Sequence, residues 1–389
     1  MRSESHALET DAVHAGREDL TDLGVHALPI DLSTTNPLLD IETGGHSYET
    51  MATGGTLPSG GSPVYARLWN PTVARFEAAL ATMENAEEAV AFSSGMAGVS
   101  ASLLAMCTGR SKPHVVAVRP LYGGTDHLLN SGMLGTEATY CAVEEVASAI
   151  REDTGLVILE TPANPTLELV SIRDVVDQAG DVPVLVDNTF ATPVLQNPLD
   201  HGAAMSLHSA TKYIGGHGDA VGGVIACRAE TATQLRQVRA VTGGILHPMG
   251  AYLLHRGLAT LPLRVHRAQE TAQQVADWLS EHEAIAQVFY PGSDNDPAGV
   301  LAGQMRGPGA MIAVRMSRGY AAAEQLTSGV TLFTHAVSLG GVDSLIQHPA
   351  ALTHRPVAPE ARPSADVVRL SIGLEAAEDL IADLSRALS

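Results

Sequence analysis

The sequence predicts an α/β protein with a mostly parallel sheet, followed by a smaller C-terminal α+β domain. Short apolar runs alternate with helical segments from about residue 70 to 262, among them VVAV (115–118), LVIL (156–159) and VLV (184–186). Each run ends in a polar or Gly/Pro turn, which is typical of βαβ units. After residue 262 one long amphipathic segment precedes several candidate strands. At 389 residues the chain is long enough for two or three such units.

We interpret the first 63 residues as an N-terminal arm rather than as a domain. The stretch TGGHSYETMATGGTLPSGGSP (43–63) is rich in Gly, Ser, Thr and Pro and has no sustained apolar period, so we expect a loop there. We therefore divide the chain into an arm (1–63), a larger domain (64–262) and a C-terminal α+β domain (263–389).

Periodicity and turn residues predict the elements in order. NPTVARFEAALATMENA (70–86) begins with Asn-Pro and has helical spacing, and AVAFSSGMAGVSASLLAMC (89–107) passes from a strand through Ser-Ser-Gly into a helix. In the C-terminal domain, LPLRVHRAQETAQQVADWLSEHEAI (261–285) predicts one long helix. The candidate strands there are GAMIAVRM (309–316), VTLFTHAVSL (330–339) and DVVRLSIGL (366–374).

Composition excludes several classes of protein. The net charge of −20 disfavours a nucleic-acid binder, which needs a basic surface. No apolar run approaches the roughly 18–20 residues of a membrane span, and the polar, acidic N-terminus does not resemble a signal peptide. We expect a cytoplasmic protein that binds neither membrane nor nucleic acid. The three cysteines are far apart and form no CxxC, so neither a disulfide framework nor a metal site is expected.

The chain contains only two lysines, Lys112 and Lys212. Lys212 is the last of three charged residues that each follow a predicted strand. Glu160 closes LVIL, Asp187 closes VPVLV, and Lys212 comes just after MSLHSAT, at spacings of about one βαβ unit. In parallel strands all three side chains meet at one crevice. Taken singly, each has an ordinary structural role, as a turn residue, a cap or a surface lysine. Together they suit a Schiff-base lysine and a carboxylate that keeps a pyridine nitrogen protonated, as pyridoxal phosphate requires.

A phosphate group would need its own site. FSSGMAG (92–98) joins a strand to a helix through small residues, and a helix start offers free N–H groups and a favourable dipole to an anion. Ser209 and Thr211 flank Lys212 and carry hydroxyl donors. An ordinary helix cap accounts for Ser-Ser-Gly equally well. No GxxxxGK[ST] is present, so a nucleotide P-loop is not supported.

Several motifs, in order, resemble the Cys/Met-metabolism group of pyridoxal-phosphate enzymes. This group includes cystathionine γ-lyase and γ-synthase, methionine γ-lyase and the homoserine sulfhydrylases. The resemblance implies an aspartate-aminotransferase-like (type I) fold with helices on both faces of the sheet, and a homotetramer made of two tight dimers. The matching motifs are YARLWNPT (65–72), SSGMAG (93–98), LYGGT (121–125), ETPANPT (160–166), VDNTF (186–190), SATKYIGGHGD (209–219), RGLATLPLR (256–264), SLGGVDSLIQHPA (338–350) and RLSIGLE (369–375).

The resemblance implies roles for individual residues. Lys212 is similar to the Schiff-base lysine, Asp187 to the partner of the pyridine nitrogen, and Tyr122 to a tyrosine that stacks on the ring and assists proton transfer. The remaining cofactor contacts implied by these motifs are Gly95, Met96, Asn164, Glu160, Thr189, Ser209 and Thr211. Tyr65 and Arg67 resemble residues that reach the phosphate of the neighbouring subunit. The arm (1–63), which precedes them, is also expected to contact that subunit. Arg369 is similar to the arginine that binds the substrate carboxylate, and Ser338, Val337 and Asn164 are expected beside it.

The activity implied is γ-elimination from a sulfur amino acid, giving 2-oxobutanoate, ammonia and a thiol, with methionine favoured as substrate. Val337 stands where cystathionine-specific members tend to carry a glutamate, whereas Gly124 stands where methionine γ-lyases usually carry a cysteine. The alternatives are a cystathionine γ-lyase or γ-synthase, an O-acetylhomoserine sulfhydrylase, and, from another class, a non-catalytic binding protein of the same fold. A Rossmann oxidoreductase is disfavoured, because no G-x-G-x-x-G follows the first strand.

Overall fold

A seven-stranded sheet organises the larger part of the molecule. The computed structural model describes residues 6–292, 296, 298–355, 357 and 362–389. The strands of this sheet are β1 (Glu88–Phe92), β2 (His114–Val118), β3 (Glu137–Cys141), β4 (Thr154–Glu160), β5 (Val184–Asp187), β6 (Met205–His208) and β7 (Gly223–Cys227). Their order is β1-β7-β6-β5-β4-β2-β3, and β7 runs opposite to the other six strands. The predicted mostly parallel sheet is confirmed.

Helices cover both faces of this sheet, which is why its central strands are apolar at nearly every position. Leu156 and Ile158 of β4 pack in one apolar cluster, and Val157 and Leu159 pack in another on the opposite face. The helices up to residue 258 are α1 (Leu8–His14), α2 (Ile41–Ala52), α3 (Pro71–Met83), α4 (Gly95–Met106), α5 (Gly123–Ser131), α6 (Val146–Ala149), α7 (Ile172–Ala179), α8 (Thr192–Leu195), α9 (Ala229–Thr242) and α10 (Pro248–Leu258).

A second, five-stranded sheet lies in the C-terminal part. Its order is β10-β11-β12-β9-β8, and all its pairs are antiparallel except the first. The elements are α11 (Leu261–Ser280), β8 (Ile285–Phe289), α12 (Val300–Gln304), β9 (Met311–Met316), α13 (Tyr320–Gly329), β10 (Thr334–His335), β11 (Leu345–Gln347), β12 (Val367–Ser371) and α14 (Ala377–Leu388). The predicted fold class, with its smaller α+β part, is therefore confirmed.

Local sequence accounts for the helices that frame the site. The Asn70 side chain accepts hydrogen bonds from the N–H groups of Thr72 (3.0 Å) and Val73 (3.2 Å), and Pro71 occupies the first helical position of α3. At α4, the Ser94 hydroxyl accepts from the Ala97 N–H at 3.1 Å. Both helices begin where the sequence predicts.

The arm departs from its prediction. We expected 43–63 to be a loop, but α2 extends through its first ten residues. The Asp40 side chain caps this helix by accepting from the Thr43 N–H at 2.8 Å, and Met51 packs against Leu68 and Ala240. This packing outweighs the low helix propensity of the Gly44-Gly45 pair. Residues 53–63 have no helix or strand.

Two elements predicted in the C-terminal part are shorter in the structure than the sequence indicated. Of the candidate strand 330–339, only Thr334–His335 pairs in the sheet, because the buried Asp383 carboxylate holds the N–H groups just before it in a turn (Thr331, Leu332 and Phe333). The long helix predicted over 261–285 ends at Ser280, and β8 begins at Ile285.

Domain limits are less distinct than the sheets. The predicted boundary between 262 and 263 falls inside the first turn of α11, so the limits 1–63, 64–262 and 263–389 stay predictions. Among the helices of the described residues, none is both long and apolar enough to cross a membrane. The cytoplasmic location stays a prediction.

Candidate functional site

The carboxyl ends of β4, β5 and β6 open into a cavity of about 360 Å³. Glu160 is the last residue of β4 and lies beside Asp187, the last residue of β5, in the strand register. Lys212 follows the end of β6 by four residues, and all three side chains line the cavity. The structure thus brings together the three residues that the strand-end spacing singles out.

Asp187 is a half-buried carboxylate whose hydrogen bonds come from one neighbour, Thr189. Its Oδ1 accepts from the Thr189 hydroxyl at 2.6 Å and from the Thr189 N–H at 3.1 Å. Burial raises the pKa of Asp187, while the Thr189 hydrogen bonds and the His208 charge oppose that rise. The Thr189 hydroxyl also accepts from the Ser209 N–H at 2.9 Å. A cationic N–H arriving from the cavity would supply the charge partner that these contacts do not provide.

Glu160 lies under Tyr122. Its Oε2 accepts from the Tyr122 N–H at 2.5 Å, and burial, followed by the charge of Asp187, raises the pKa of Glu160 well above its ordinary value. Tyr122 precedes α5 and keeps about a third of its surface exposed, at 38%. Burial, with Glu160 and Asp187, also raises the pKa of the Tyr122 phenol, so the phenol is protonated near neutral pH.

Lys212 has an environment suited to a nucleophile. Its Nζ donates to the Ser338 hydroxyl at 2.8 Å. Burial, with the nearby charge of Arg369, lowers the pKa of Lys212 from 10.5 to about 8. A substantial fraction of the amine is therefore neutral near physiological pH, as condensation with an aldehyde requires.

Arg369 lies in β12 and approaches the cavity from the small sheet. Its two terminal nitrogens donate to Asn164 Oδ1 and to the Ser338 carbonyl, both at 2.9 Å. Its Nε is buried and has no hydrogen-bond partner among the residues that the structure describes. Ser338 has a φ of 87°, in the left-handed region, and this conformation lets its hydroxyl face Lys212 while its carbonyl faces Arg369. A carboxylate from a ligand would complete the arginine's bonding.

The N-terminus of α4 forms one wall of the cavity through Gly95 and Met96. The first N–H groups of a helix have no intrahelical acceptor, so they are available to an anion. A Cβ at Gly95 would lie 3.0 Å from the Ser209 Cβ, which explains why the smallest residue stands there. Ser209 and Thr211 also line the cavity.

Other predicted residues are placed as follows. Val337 lines the cavity and is 54% exposed. Tyr65 and Arg67 do not belong to the lining of their own chain's cavity; the Arg67 guanidinium lies 5.4 Å from the Tyr65 ring centroid and donates to the Ala240 carbonyl. Their predicted role toward a neighbouring subunit stays a prediction.

Sequence reasoning missed part of the lining. Phe190 and Leu339 lie inside quoted motifs and could have been chosen from them, but Thr353 and Val221 had no such signal. Thr353 is brought in by the close approach of its segment to the start of α5: a Cβ at Gly123 would lie 2.2 Å from the Thr353 carbonyl oxygen. The lining residues that the sequence did not single out are Ser94, Val99, Thr125, Phe190, Leu207, Val221, Leu339 and Thr353.

The donor set fits pyridoxal phosphate. A lysine of lowered pKa can receive the aldehyde, the half-buried Asp187 carboxylate can face the ring nitrogen, and a helix N-terminus with two flanking hydroxyl residues can receive the phosphate. Arg369 lines the same cavity, and its Nε has no hydrogen-bond partner among the described residues, so its guanidinium suits the carboxylate of an amino acid.

Comparison with known proteins also indicates an enzyme that uses pyridoxal phosphate. A family described as Cys/Met metabolism PLP-dependent enzyme matches residues 9–389. An L-methionine gamma-lyase of Brevibacterium aurantiacum is 60% identical over 381 residues, covering 98% of this chain and 94% of that protein. The crystal structure of metB from Corynebacterium glutamicum has a TM-score of 0.89 at 36% identity, covering 99% of this chain and 98% of that one. The structure of apo CalE6, a methionine gamma lyase from Micromonospora echinospora, has a TM-score of 0.86 at 36% identity and 99% coverage of both chains.

Proposed function

Since the chain belongs to the Cys/Met metabolism PLP-dependent enzyme family, we propose that it is a γ-lyase that converts methionine and water into 2-oxobutanoate, ammonia and methanethiol. The observation that carries the proposal is the single cavity in which Lys212, Asp187, Tyr122 and Arg369 meet. The family match makes the enzyme dependent on pyridoxal phosphate and active on sulfur amino acids.

The roles of the chain's residues follow from their surroundings. Arg369 binds the substrate α-carboxylate through its unpartnered Nε, while Asn164 and Ser338 keep the guanidinium in place. Pyridoxal phosphate, when bound, supplies an aldehyde that condenses with amines and a ring that takes up the electrons of the substrate's α-C–H bond. Asp187 would hold the ring nitrogen, and the start of α4 with Ser209 and Thr211 would hold the phosphate.

Proton movement falls to two residues. The Lys212 amine, whose pKa is about 8, removes the α-proton and then moves protons between the α and β carbons. Loss of a β-proton allows the γ-sulfur to leave as a thiolate. The Tyr122 phenol, protonated because its pKa is raised, gives its proton to that sulfur.

The lining of the cavity favours methionine over cystathionine. Its acidic and basic side chains are those of Glu160, Asp187, Lys212 and Arg369. Glu160 accepts from the Tyr122 N–H, and the other three have a role with the cofactor or the α-carboxylate. The more exposed lining residues Val221 and Val337 are apolar. A methyl thioether is compatible with such a wall, whereas the second amino and carboxylate groups of cystathionine would lose their charge partners.

The assembly we propose is a homotetramer of two dimers, with each site shared between subunits. Support comes from the position of Tyr65 and Arg67 outside their own cavity and from the apolar exposure of the arm, where Leu39 is 81% and Ile41 92% exposed. Mixing inactive Lys212→Ala and Arg67→Ala subunits should restore activity, because hybrid dimers would contain one intact site. No recovery in the mixture would contradict a shared site.

The proposed reaction is tested by measuring 2-oxobutanoate release from methionine and from cystathionine, beside sulfide incorporation into O-acetylhomoserine. We expect release from methionine to exceed release from cystathionine and sulfide incorporation. Preference for cystathionine, or sulfide incorporation without release from methionine, would contradict a methionine γ-lyase. Lys112→Ala should retain activity and serves as the control for Lys212→Ala, since Lys112 is exposed and does not belong to the cavity lining.

A further inference from the structure

A fully buried carboxylate lies beneath the large sheet, outside the cavity. Glu84 directly follows α3 and has no exposed surface. Its Oε1 accepts from His208 Nε2 at 2.5 Å, from the Ser206 hydroxyl at 3.0 Å and from Asn188 Nδ2 at 3.1 Å. Asn197 Nδ2 lies 3.4 Å from Oε2. Burying a carboxylate is costly unless such donors surround it, and the chain has concentrated four of them here.

Two of these donors are the immediate neighbours of cavity residues. Asn188 directly follows Asp187, and His208 directly precedes Ser209. At the cavity, Thr189 links the segment of Asp187 to the segment of Ser209. Its hydroxyl donates to Asp187 Oδ1 at 2.6 Å and accepts from the Ser209 N–H at 2.9 Å. The Glu84 carboxylate therefore binds, outside the cavity, the same two segments that Thr189 links at the cavity.

Asn188 is tied down completely by this arrangement. Its Nδ2 also donates to the Gln196 carbonyl at 2.9 Å, its Oδ1 accepts from Gln196 Nε2 at 2.9 Å, and its N–H donates to the Leu207 carbonyl at 2.8 Å. A turn whose side chain and backbone are both bonded on the buried side has little freedom to rotate. The direction of the Asp187 carboxylate is thereby fixed from outside the cavity.

We propose that Glu84 is a positioning residue for the cofactor site, which acts through Asn188 and His208 on the turn that carries Asp187. The inference rests on the proposed function only in taking the ring nitrogen of pyridoxal phosphate as the partner of Asp187. Glu84 touches neither cofactor nor substrate.

The effect has an electrostatic part as well as a geometric one. The charge of His208 lowers the pKa of Asp187, against the rise that burial causes, and Glu84 is the acceptor that holds the His208 ring. The other ionisable groups that act on Asp187 are Glu160 and Tyr122 in the cavity and His208 in β6. Glu84 also interacts with the charge of Arg306, which belongs to the C-terminal part of the chain. Replacing the Glu84 carboxylate weakens its hydrogen bonds to His208 and Asn188, so the ring and the turn that carries Asp187 are both held less firmly.

The test compares cofactor binding by apoenzyme variants, without any substrate. Glu84→Gln keeps the shape and removes the charge, and Glu84→Asp keeps the charge. Asp383→Asn is the matched control, because Asp383 is a buried carboxylate (2% exposed) that accepts several backbone hydrogen bonds far from the cavity. The dissociation constant of pyridoxal phosphate is measured by absorbance titration from pH 6 to pH 9, beside a thermal melt of each variant.

We expect Glu84→Gln to raise that dissociation constant about tenfold, the effect of weakening the charge-assisted hydrogen bonds that hold the turn carrying Asp187. Glu84→Asp should recover most of the affinity, and Asp383→Asn should lower the melting temperature while leaving the affinity unchanged. If Glu84→Gln does not fold, His208→Gln, which keeps Glu84 with its other donors, should show the same weakening.

Unchanged affinity across the pH range in the folded variant, or equal weakening in Asp383→Asn, would overturn the proposal. The readout separates it from the proposed reaction: an affinity change in an enzyme that does not cleave methionine would support the role of Glu84 and contradict only the substrate.

Discussion

Replacing Arg369 with lysine separates the charge of this residue from its geometry. Arg369 uses one terminal nitrogen for Asn164 and the other for the Ser338 carbonyl, at 2.9 Å each, and keeps Nε without a partner. A lysine retains the positive charge. Its single ammonium group cannot hold both neighbours and still present a second donor to a carboxylate.

Burial gives the magnitude. Burial lowers the pKa of Arg369 to about 10, a net shift that corresponds to about 3 kcal/mol against the unpaired cation. A substrate carboxylate compensates that cost through bidentate contact. Losing one charge-assisted hydrogen bond costs about 1.5–3 kcal/mol, or about 10- to 150-fold in binding. Because the carboxylate is bound alike before and during the reaction, the loss should appear mainly in KM for methionine.

The assay is steady-state release of 2-oxobutanoate by Arg369→Lys at several methionine concentrations. Arg236→Lys is the matched control, since Arg236 is also a buried arginine, bonded to Glu88 and the Gly54 carbonyl and absent from the cavity lining. We expect KM to rise for Arg369→Lys alone. A KM changed less than about threefold, or an equal rise in the control, would refute the assignment of Arg369 to the carboxylate.

Three further predictions concern the acid, the nucleophile and the frame of the site. Tyr122→Phe should lower kcat for methionine by about 10²- to 10⁴-fold, the usual contribution of a general acid, with the cofactor spectrum retained; full activity would exclude Tyr122 as the proton donor. The rate at which apoenzyme captures pyridoxal phosphate, followed by stopped-flow absorbance, should rise between pH 7 and pH 9 with a midpoint near the Lys212 pKa of about 8, because only the neutral amine condenses. A rate that does not change over this range would contradict the lowered pKa. Arg264→Ala should destabilise the protein in urea by about 3–5 kcal/mol, since it leaves buried carbonyl groups without donors, and a loss below about 1 kcal/mol would contradict that role. The carbonyl oxygens that Arg264 holds are those of Tyr213, Ile214 and Gly257.

The order of strands and helices could largely be predicted from the sequence, because each buried strand is an apolar run that ends at a polar residue. Glu160, Asp187 and the segment before Lys212 follow this pattern, and the parallel register puts Glu160 directly beside Asp187. Adjacent strand ends need no information from distant parts of the chain. That is why this half of the cavity was predictable from spacing alone.

The other half depends on contacts between distant segments. Arg369 reaches the cavity through its hydrogen bond with Asn164, 205 residues away in the chain, and Lys212 meets Ser338 across 126 residues. Only the resemblance to a family suggested these residues. Neither spacing nor family motifs indicated α2, whose stability comes from the packing of Met51 against Leu68 and Ala240, nor the link from Glu84 to His208 across 124 residues.

The most direct test of the account is to locate the cofactor on the chain. Because the sequence contains only Lys112 and Lys212, reduction of the purified enzyme with borohydride, digestion and mass spectrometry can give an unambiguous answer. We predict a phosphopyridoxyl group on the peptide that contains Lys212, and loss of the visible absorbance band in Lys212→Ala but not in Lys112→Ala. A label on Lys112, or no label on enzyme that has been supplied with pyridoxal phosphate, would contradict the assignment of Lys212.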